Sequence, residues 1–211
     1  MTPASLHPRR LTDAERPRLA EHFLLLDADD LRLRFGMAKT PDALADYVAR
    51  GIDFGRDGVF AIDDDDLALL GVAHVAIGPG MAEFGVSVLA AHRGQRLGSA
   101  LLARAHNFAR SRFIPAMFMH CLTENRAMMH MARKAGMEVA TESGEADAWV
   151  KLAKPDAGTM ANELLLQRVA VFDHALKAQL AAARGFSAAW KGTWPLRQAP
   201  TSSANRVCRE G

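Results

Sequence analysis

Val88-Leu-Ala-Ala-His-Arg-Gly-Gln-Arg-Leu-Gly-Ser99 is the most informative segment of this 211-residue sequence. It follows a run rich in β-branched and aromatic residues and precedes residues with helical spacing, so it predicts a turn from a strand into an amphipathic helix. A helix N-terminus offers unpaired N–H groups and partial positive charge, and glycines let the backbone approach an anion closely. The turn therefore predicts a phosphate site, although an ordinary loop without a ligand is an equal alternative on this turn alone.

The glycine spacing excludes two other phosphate-binding loops. The G-x-G-x-x-G pattern of dinucleotide-binding folds is absent, and the strand before the turn comes late in a series of antiparallel hairpins rather than in a repeating βαβ unit. The G-x-x-x-x-G-K-[ST] pattern is absent as well.

Outward from the turn, the hydrophobic periodicity predicts an α+β chain with one mixed sheet. The four aspartates from 63 to 66 are expected to form a solvated hairpin turn, since no other ligand residues flank them as a metal site would require. The predicted strands cover 6–11, 58–62, 69–77, 83–89, 115–122, 138–143 and 146–152. The predicted helices cover 14–36, 40–51, 99–112, 125–135 and 156–183.

Composition and charge exclude several classes of protein. A formal net charge of +2 predicts neither nucleic-acid nor membrane binding, and the N-terminus has no apolar region of the kind found in signal peptides. Two cysteines, Cys121 and Cys208, are too few for a secreted disulfide scaffold, so a cytoplasmic location is expected. No cluster of residues has the spacing of a metal site.

The turn resembles motif A of the GNAT superfamily of N-acetyltransferases, whose pattern is [R/Q]-x-x-G-x-[G/A]. Here the motif reads Arg93-Gly-Gln-Arg-Leu-Gly98, with Arg96 at the position of the middle glycine. If that position requires a positive φ, Arg96 costs on the order of 1 kcal/mol. If the position is already helical, Arg96 contacts a phosphate instead.

A second motif extends the resemblance over residues 6–152. The segment from Asn125 to Met137 resembles motif B, N-x-x-[A/M]-x-x-x-[Y/A]-x-x-x-G-[F/M], and Asn125 also has the position of a helix N-cap. Ala82-Glu-Phe-Gly-Val-Ser-Val88 resembles a strand of bacterial protein-lysine acetyltransferase domains. The resemblance implies the GNAT acyl-CoA fold. The strands at 83–89 and 115–122 are expected to lie parallel, because a helix connects them, and to splay apart at the cofactor.

The resemblance also implies an acyl-CoA site and direct transfer of the acyl group from acetyl-CoA to an amine. The pantetheine arm is expected to pair with the strand backbone, the pyrophosphate to bind the turn, and a backbone N–H near Leu89 to stabilise the carbonyl oxygen. The cofactor-binding residues expected on this basis are Val86, Val88, Leu89, Ala90, Arg93, Gly94, Gln95, Arg96, Leu97, Gly98, Ser99 and Asn125.

Glu83 is the predicted catalytic base, because burial in an apolar strand would raise its pKa towards neutrality. The alternative is a glutamate that faces water, in which case His74 or His120 takes the role. The tyrosine that often protonates the leaving thiolate in this family is replaced by Ala132. Cys121 is not expected to be a nucleophile, since an apolar setting disfavours the thiolate.

Three segments are expected along the chain: the acetyltransferase domain at 6–154, an amphipathic helix at 155–185 and a poorly ordered tail at 186–211. The apolar stripe of the helix is expected to pack on its own sheet, on a second copy of the chain or on a membrane surface. A homodimer is favoured, and the membrane surface comes last because Arg168 and Lys177 are too few for a basic face. The acceptor, a small amine or a protein lysine, is not readable from the sequence. A non-catalytic acyl-CoA-binding regulatory module is the alternative function.

Overall fold

A computed structural model describes residues 6–192 of the chain, with side chains as far as residue 184. Within that part, seven strands form one sheet in the order β1-β2-β3-β4-β5-β7-β6. The strands β1 to β7 are Arg9–Arg10, Gly58–Asp63, Leu69–Gly78, Met81–Val88, Ala116–Leu122, Glu138–Glu142 and Glu145–Lys151. The helices α1 to α6 are Arg16–Leu24, Ala28–Phe35, Pro41–Asp46, Leu97–Ser111, Arg126–Lys134 and Ala157–Gly192.

One pair of neighbouring strands differs from all the others in the sheet. β4 and β5 run parallel and pair only at Ala82 with Met117 and at Glu83 with Phe118, whereas every other neighbouring pair is antiparallel. Beyond Glu83 the two strands separate, which leaves a gap in the middle of the sheet. The predicted parallel pair and its splay are therefore confirmed.

Helices cover both faces of the sheet and make two hydrophobic cores. On one face, Leu101 and Phe108 of α4 pack with Phe60 and Phe84 of the sheet. On the other face, the helices α1 to α3 pack against β2 and β3, in a cluster that contains Leu19, Phe23, Leu44, Val59 and Val72. The gap between β4 and β5 thus opens between two layers of helices.

The predicted helix over 14–36 is wrong, because two helices occupy that segment. After a short 3₁₀ turn, Asp13–Glu15, α1 ends at Leu24 and α2 begins at Ala28. Asp27 is the N-cap of α2 and accepts a hydrogen bond of 2.7 Å from the Asp30 N–H, so its side chain starts a new helix rather than continuing the first. The predicted first strand also shrinks to Arg9–Arg10.

Asp63 corrects the expectation of a solvated turn. It is the last residue of β2 and is buried, and its carboxylate accepts a 2.5 Å hydrogen bond from Arg9 and a 2.9 Å bond from His174. Asp64 accepts hydrogen bonds from the Asp66 and Ala68 N–H groups, so the turn itself lies at residues 64–68.

The C-terminal helix is longer than predicted and continues to Gly192, past the expected start of the tail at residue 186. Residues 193–211 of the expected tail lie outside the described residues. α6 contacts α4 and β1 of its own domain. Among the described helices, none is both long and apolar enough to cross a bilayer.

Candidate active site

The turn between β4 and α4 has the backbone of an anion site. Gly94 has φ of +75° and Arg96 has φ of +65°, so the chain turns sharply before α4 begins at Leu97, two residues earlier than predicted. No side chain caps α4, and its first N–H groups, from Leu97 to Ser99, are therefore left for a ligand. The position of Arg96 is left-handed rather than helical, which is the first of the two cases considered from the sequence.

A cavity of about 580 Å³ opens in front of this turn, and we call it the basic cavity. Nine of the twelve predicted cofactor residues line it, and Leu89, Ala90 and Gln95 do not. The nine are Val86, Val88, Arg93, Gly94, Arg96, Leu97, Gly98, Ser99 and Asn125. The turn, the end of β4 and the start of α5 therefore converge on one space.

Helix α5 supplies a basic row to the cavity that the sequence analysis missed. Arg126, His130 and Lys134 all line the basic cavity and follow one another at intervals of four residues, which places them on one face of the helix. That spacing was the available signal. Asp30 and Glu124 also line the cavity, and each is already paired with an arginine, Arg93 and Arg32 respectively.

The ladder between β3 and β4 determines which backbone groups face the gap. The Leu89 N–H donates to the Leu70 carbonyl at 3.0 Å, so a donor near Leu89 for an oxyanion has to come from a neighbouring residue. In an antiparallel ladder, successive residues turn their N–H and C=O groups to opposite sides. Val86 and Val88 therefore present theirs towards the gap beside β5.

A second cavity, of about 280 Å³, adjoins the first, and we call it the Glu83 cavity. It brings together all three residues considered as the base, Glu83, His74 and His120. The two cavities share Leu33, Arg34, Val86 and Met128 at their boundary. Further lining residues are Phe35, Gly36, Tyr47, Gly51, Ala76, Phe84, Gly85 and Cys121.

The predicted burial of Glu83 is wrong, since its side chain is exposed at this cavity. The reason is its cross-strand partner: Glu83 lies opposite Ala76, whose small side chain covers little of it. The neighbours Ala82 and Phe84, which point to the other face, are buried in the core. Glu83 therefore faces the cavity and solvent together.

His74 belongs to a chain of hydrogen bonds that begins at the buried Asp57. The Asp57 carboxylate accepts from His74 Nε2 at 3.0 Å, and His74 Nδ1 lies 2.8 Å from the Tyr47 hydroxyl. Burial alone would raise the pKa of Asp57, but hydrogen bonds from His74, Arg56 and the Ile77 N–H outweigh it and hold that pKa well below its usual range. Because Asp57 is thus an acceptor, His74 Nε2 donates to it. Burial raises the pKa of the Tyr47 hydroxyl, which keeps the hydroxyl protonated.

His120 and Cys121 occupy the β5 side of the Glu83 cavity. His120 Nδ1 lies 2.7 Å from Asp147, so it donates there when the imidazole is neutral and leaves Nε2 as an acceptor. Burial, aided by the charge of Asp147, raises the pKa of the Cys121 thiol. This shift agrees with the expectation that Cys121 is not a nucleophile.

Two residues at motif-B positions have different surroundings in the structure: Asn125 at the start of α5 and Ala132 within it. Asn125 caps the helix, its side-chain oxygen accepting from the Met128 N–H at 3.1 Å, and its amide donates to the Leu33 carbonyl at 3.4 Å. Ala132 is buried in the core and lines neither cavity. The chain's single tyrosine, Tyr47, lines the Glu83 cavity from the opposite layer. Across the described residues, no group of three or more His, Cys, Asp or Glu side chains could hold a metal ion.

Comparison with known proteins identifies a family. The model of the acetyltransferase (GNAT) family matches residues 25–137, more than half of the chain. This segment includes the turn and the residues that the two cavities share. No curated protein matches the chain.

Solved structures share the fold. The GNAT domain of S. lividans PAT superposes with a TM-score of 0.61 at 24% identity, covering 69% of this chain and 89% of that one. A spermidine N-acetyltransferase from Vibrio cholerae, solved with CoA and spermine, gives 0.56 at 16% identity over 70% and 95% of the two chains. An N-acetyltransferase from Staphylococcus aureus Mu50 gives 0.56 at 15% identity over 69% and 98%.

Proposed function

Because the chain belongs to the GNAT family of acetyltransferases, whose acyl donor is acetyl-CoA, we propose that it transfers the acetyl group of acetyl-CoA directly to a primary amine. The observation that carries the proposal is the pair of adjoining cavities at the gap between β4 and β5. One is basic and lies on a helix N-terminus, and the other contains Glu83. They share a boundary at Arg34 and Val86, where a donor and an acceptor can meet.

The basic cavity suits a donor that carries several phosphates. Four cationic side chains besides Arg34 line it, against two carboxylates that are already ion-paired. The N–H groups at the start of α4 add partial positive charge next to Gly98, whose missing side chain leaves room. The cationic residues are Arg93, Arg96, Arg126 and Lys134.

The pantetheine arm fits the gap between β4 and β5. Val86 and Val88 present unpaired backbone groups there, so an extended amide-bearing chain can bond to β4 as an added strand. The N–H of Val86 lies where both cavities meet, and we assign to it the donor for the thioester oxygen in place of Leu89.

In the proposed reaction the amine nitrogen forms a bond to the thioester carbon, and the carbon–sulfur bond then breaks. The acceptor arrives as an ammonium ion, so two protons leave its nitrogen. Glu83 takes the first before the attack and passes it to water, and the second ends on the CoA sulfur as the carbon–sulfur bond breaks. With Ala132 at the family's tyrosine position, that second proton comes from the nitrogen itself or through water.

Glu83 is assigned as the base because the two histidines of its cavity are less suited. Both ring nitrogens of His74 are engaged, one with Asp57 and one with Tyr47. His120 Nε2 makes no hydrogen bond to the described residues, although the Glu145 carboxylate lies 3.9 Å from it, and His120 is the second candidate.

An assay of CoA release with acetyl-CoA and a panel of primary amines tests the proposal. Turnover of any amine supports an enzyme. Acetyl-CoA binding without turnover of any amine would instead support the alternative, a non-catalytic acyl-CoA-binding module.

We also propose that α6 joins two copies of the chain. The helix packs on its own domain with a polar face, on which Glu163 binds Arg104 at 2.6 Å and Lys177 binds the Asp63 carbonyl. Its other face carries exposed apolar side chains, with Phe172 72% and Leu165 60% exposed. The row formed by Leu165, Val169, Phe172 and Leu176 has the alternating spacing of four and three residues that is typical of paired helices, and Leu180 extends it by one turn.

The mass of the full chain in solution tests this assembly. The natural sequence is expected to be a dimer, and a chain carrying Phe172→Glu and Leu176→Glu a monomer. Leu25→Glu, at another exposed leucine on the α1 side, is the matched control and should stay dimeric. A monomeric natural chain, or a dimer that survives the double substitution, would refute the proposal.

A further inference from the structure

Arg34 is a cation without an anionic partner at the boundary of the two cavities. Its guanidinium lies 4.8 Å from the centre of the Phe35 ring and donates a long 3.4 Å hydrogen bond to the Tyr47 oxygen. In the part of the chain that the structure describes, no carboxylate lies within ion-pair distance of it. A half-buried guanidinium with most of its five N–H groups unused is suited to a bidentate anion such as a carboxylate.

The sheet makes room for this guanidinium. Gly85 lies opposite His74 in the β3–β4 ladder, and a Cβ on Gly85 would overlap the Arg34 guanidinium. No side chain larger than hydrogen is compatible with the observed position of Arg34. The absence of a side chain at residue 85 therefore places the guanidinium against the strand, beside the residue assigned as the base.

Two side chains with oxygen acceptors line the Glu83 cavity near Arg34. The Tyr47 oxygen accepts the hydrogen bond from Arg34 and also lies 2.8 Å from His74 Nδ1. Glu83 presents a carboxylate from the same wall. The cavity thus offers an acceptor side, Glu83 and Tyr47, and a donor side, Arg34.

We propose that the amine acceptor is an α-amino acid, bound with its carboxylate on Arg34 and its amino group towards Glu83. Because Arg34 lines both cavities, an anion bound there lies next to the point where the acyl group arrives. Amine and carboxylate must then be close together in the acceptor, as they are on neighbouring carbons of an α-amino acid. A polyamine carries only ammonium groups, and in this cavity they would be repelled by the Arg34 guanidinium. This inference rests on the proposed acetyl transfer.

The test compares matched acceptors in the CoA-release assay. L-amino acids of several sizes are each assayed beside their amide and their decarboxylated amine, and spermidine is included. The amino acid is expected to have a kcat/KM about tenfold or more above that of its amide, since a charge-assisted bidentate contact is lost in the amide. The amino group of the amide is less basic than that of the amino acid, so more of it is unprotonated at a given pH. That difference alone would favour the amide as acceptor.

Variants separate this role from a structural one. Arg34→Gln should raise the KM for the amino acid by about 10- to 100-fold while leaving the KM for acetyl-CoA and the rate with the decarboxylated amine unchanged. Arg34→Lys should restore part of the loss. Gly85→Ala should reproduce it by displacing the guanidinium, at little cost in stability because the end of a flexible side chain can move. Arg50→Gln, at an exposed arginine paired with Asp46, is the control and should change nothing.

The outcomes distinguish this inference from the proposed function. Equal rates for the amino acid and its amide, or a preference for spermidine, would overturn the carboxylate site and leave acetyl transfer standing. An Arg34→Gln variant that binds acetyl-CoA weakly but still prefers the amino acid to its amide would show that Arg34 binds the donor. That result would also overturn the carboxylate site. No turnover with any amine would defeat both proposals.

Discussion

Lowering the pH from 8 to 5 should destabilise this protein through one buried histidine, His22. The ring lies between the Leu69 carbonyl, 2.8 Å from Nδ1, and the Ser87 hydroxyl, 2.8 Å from Nε2. Burial lowers the pKa of His22 to about 4; the hydrogen bond to the Leu69 carbonyl opposes this in part, and the charge of Arg34 adds a smaller lowering. Ser87 lies on β4 and lines the basic cavity, so the titration acts on the strand assigned to the donor.

The sign and size of this loss of stability follow from the difference between the pKa of His22 in the folded and in the unfolded chain. The unfolded chain takes up the proton near pH 6.5 and the folded one only near pH 4, so stability is complete above 6.5 and falls as the pH drops. At pH 5 the loss amounts to about 2 kcal/mol, and it approaches about 3 kcal/mol below pH 4. In a chain of this length, 2 kcal/mol corresponds to a Tm lower by about 4–8 °C.

Urea unfolding followed by circular dichroism at pH 8, 6.5 and 5 measures the effect. His22→Gln, which cannot titrate at this position, should be less stable at every pH but lose clearly less stability than the natural chain between pH 8 and 5. The remaining loss comes from His106, whose pKa burial also lowers. His130→Gln, at an exposed histidine, should retain the full pH dependence of the natural chain. If the natural chain and His22→Gln lose stability equally over this range, the assignment to His22 is refuted.

Three further predictions concern the site. Glu83→Gln should lower kcat by about a hundredfold or more in the CoA-release assay with acetyl-CoA affinity little changed; an unchanged rate would transfer the role to His120 or to water. CoA should raise the Tm of the natural chain, and Gly98→Glu should abolish that increase in a thermal-shift assay without unfolding the protein, because it places a negative charge at the anion site; a full shift in the variant would locate the site elsewhere. Arg96→Gly should raise the free energy of unfolding by roughly 0.5–1 kcal/mol, because it relieves a left-handed backbone at φ +65° and this gain exceeds the cost of a more flexible unfolded chain. It should also weaken CoA binding, because it removes a cation. Urea titration would measure the stability and calorimetry the binding, and a less stable variant would contradict the reasoning.

The sequence by itself determined the features that depend on local pattern. The change from strand to helical periodicity around Gly94 and Gly98 predicted the anion turn, and the helix between β4 and β5 predicted that these strands lie parallel. Asn125 was recognised as an N-cap because capping needs only its own neighbours along the chain.

The tertiary structure alone decided what depends on partners far along the chain. The exposure of Glu83 follows from Ala76 across the ladder, and the loss of the Leu89 N–H follows from the Leu70 carbonyl. Arg34 became a candidate only when the fold placed it over Gly85, 51 residues further along the sequence. Local propensity cannot register such pairings, because the free energy of a charge or an N–H group depends on which distant group comes within hydrogen-bond distance of it.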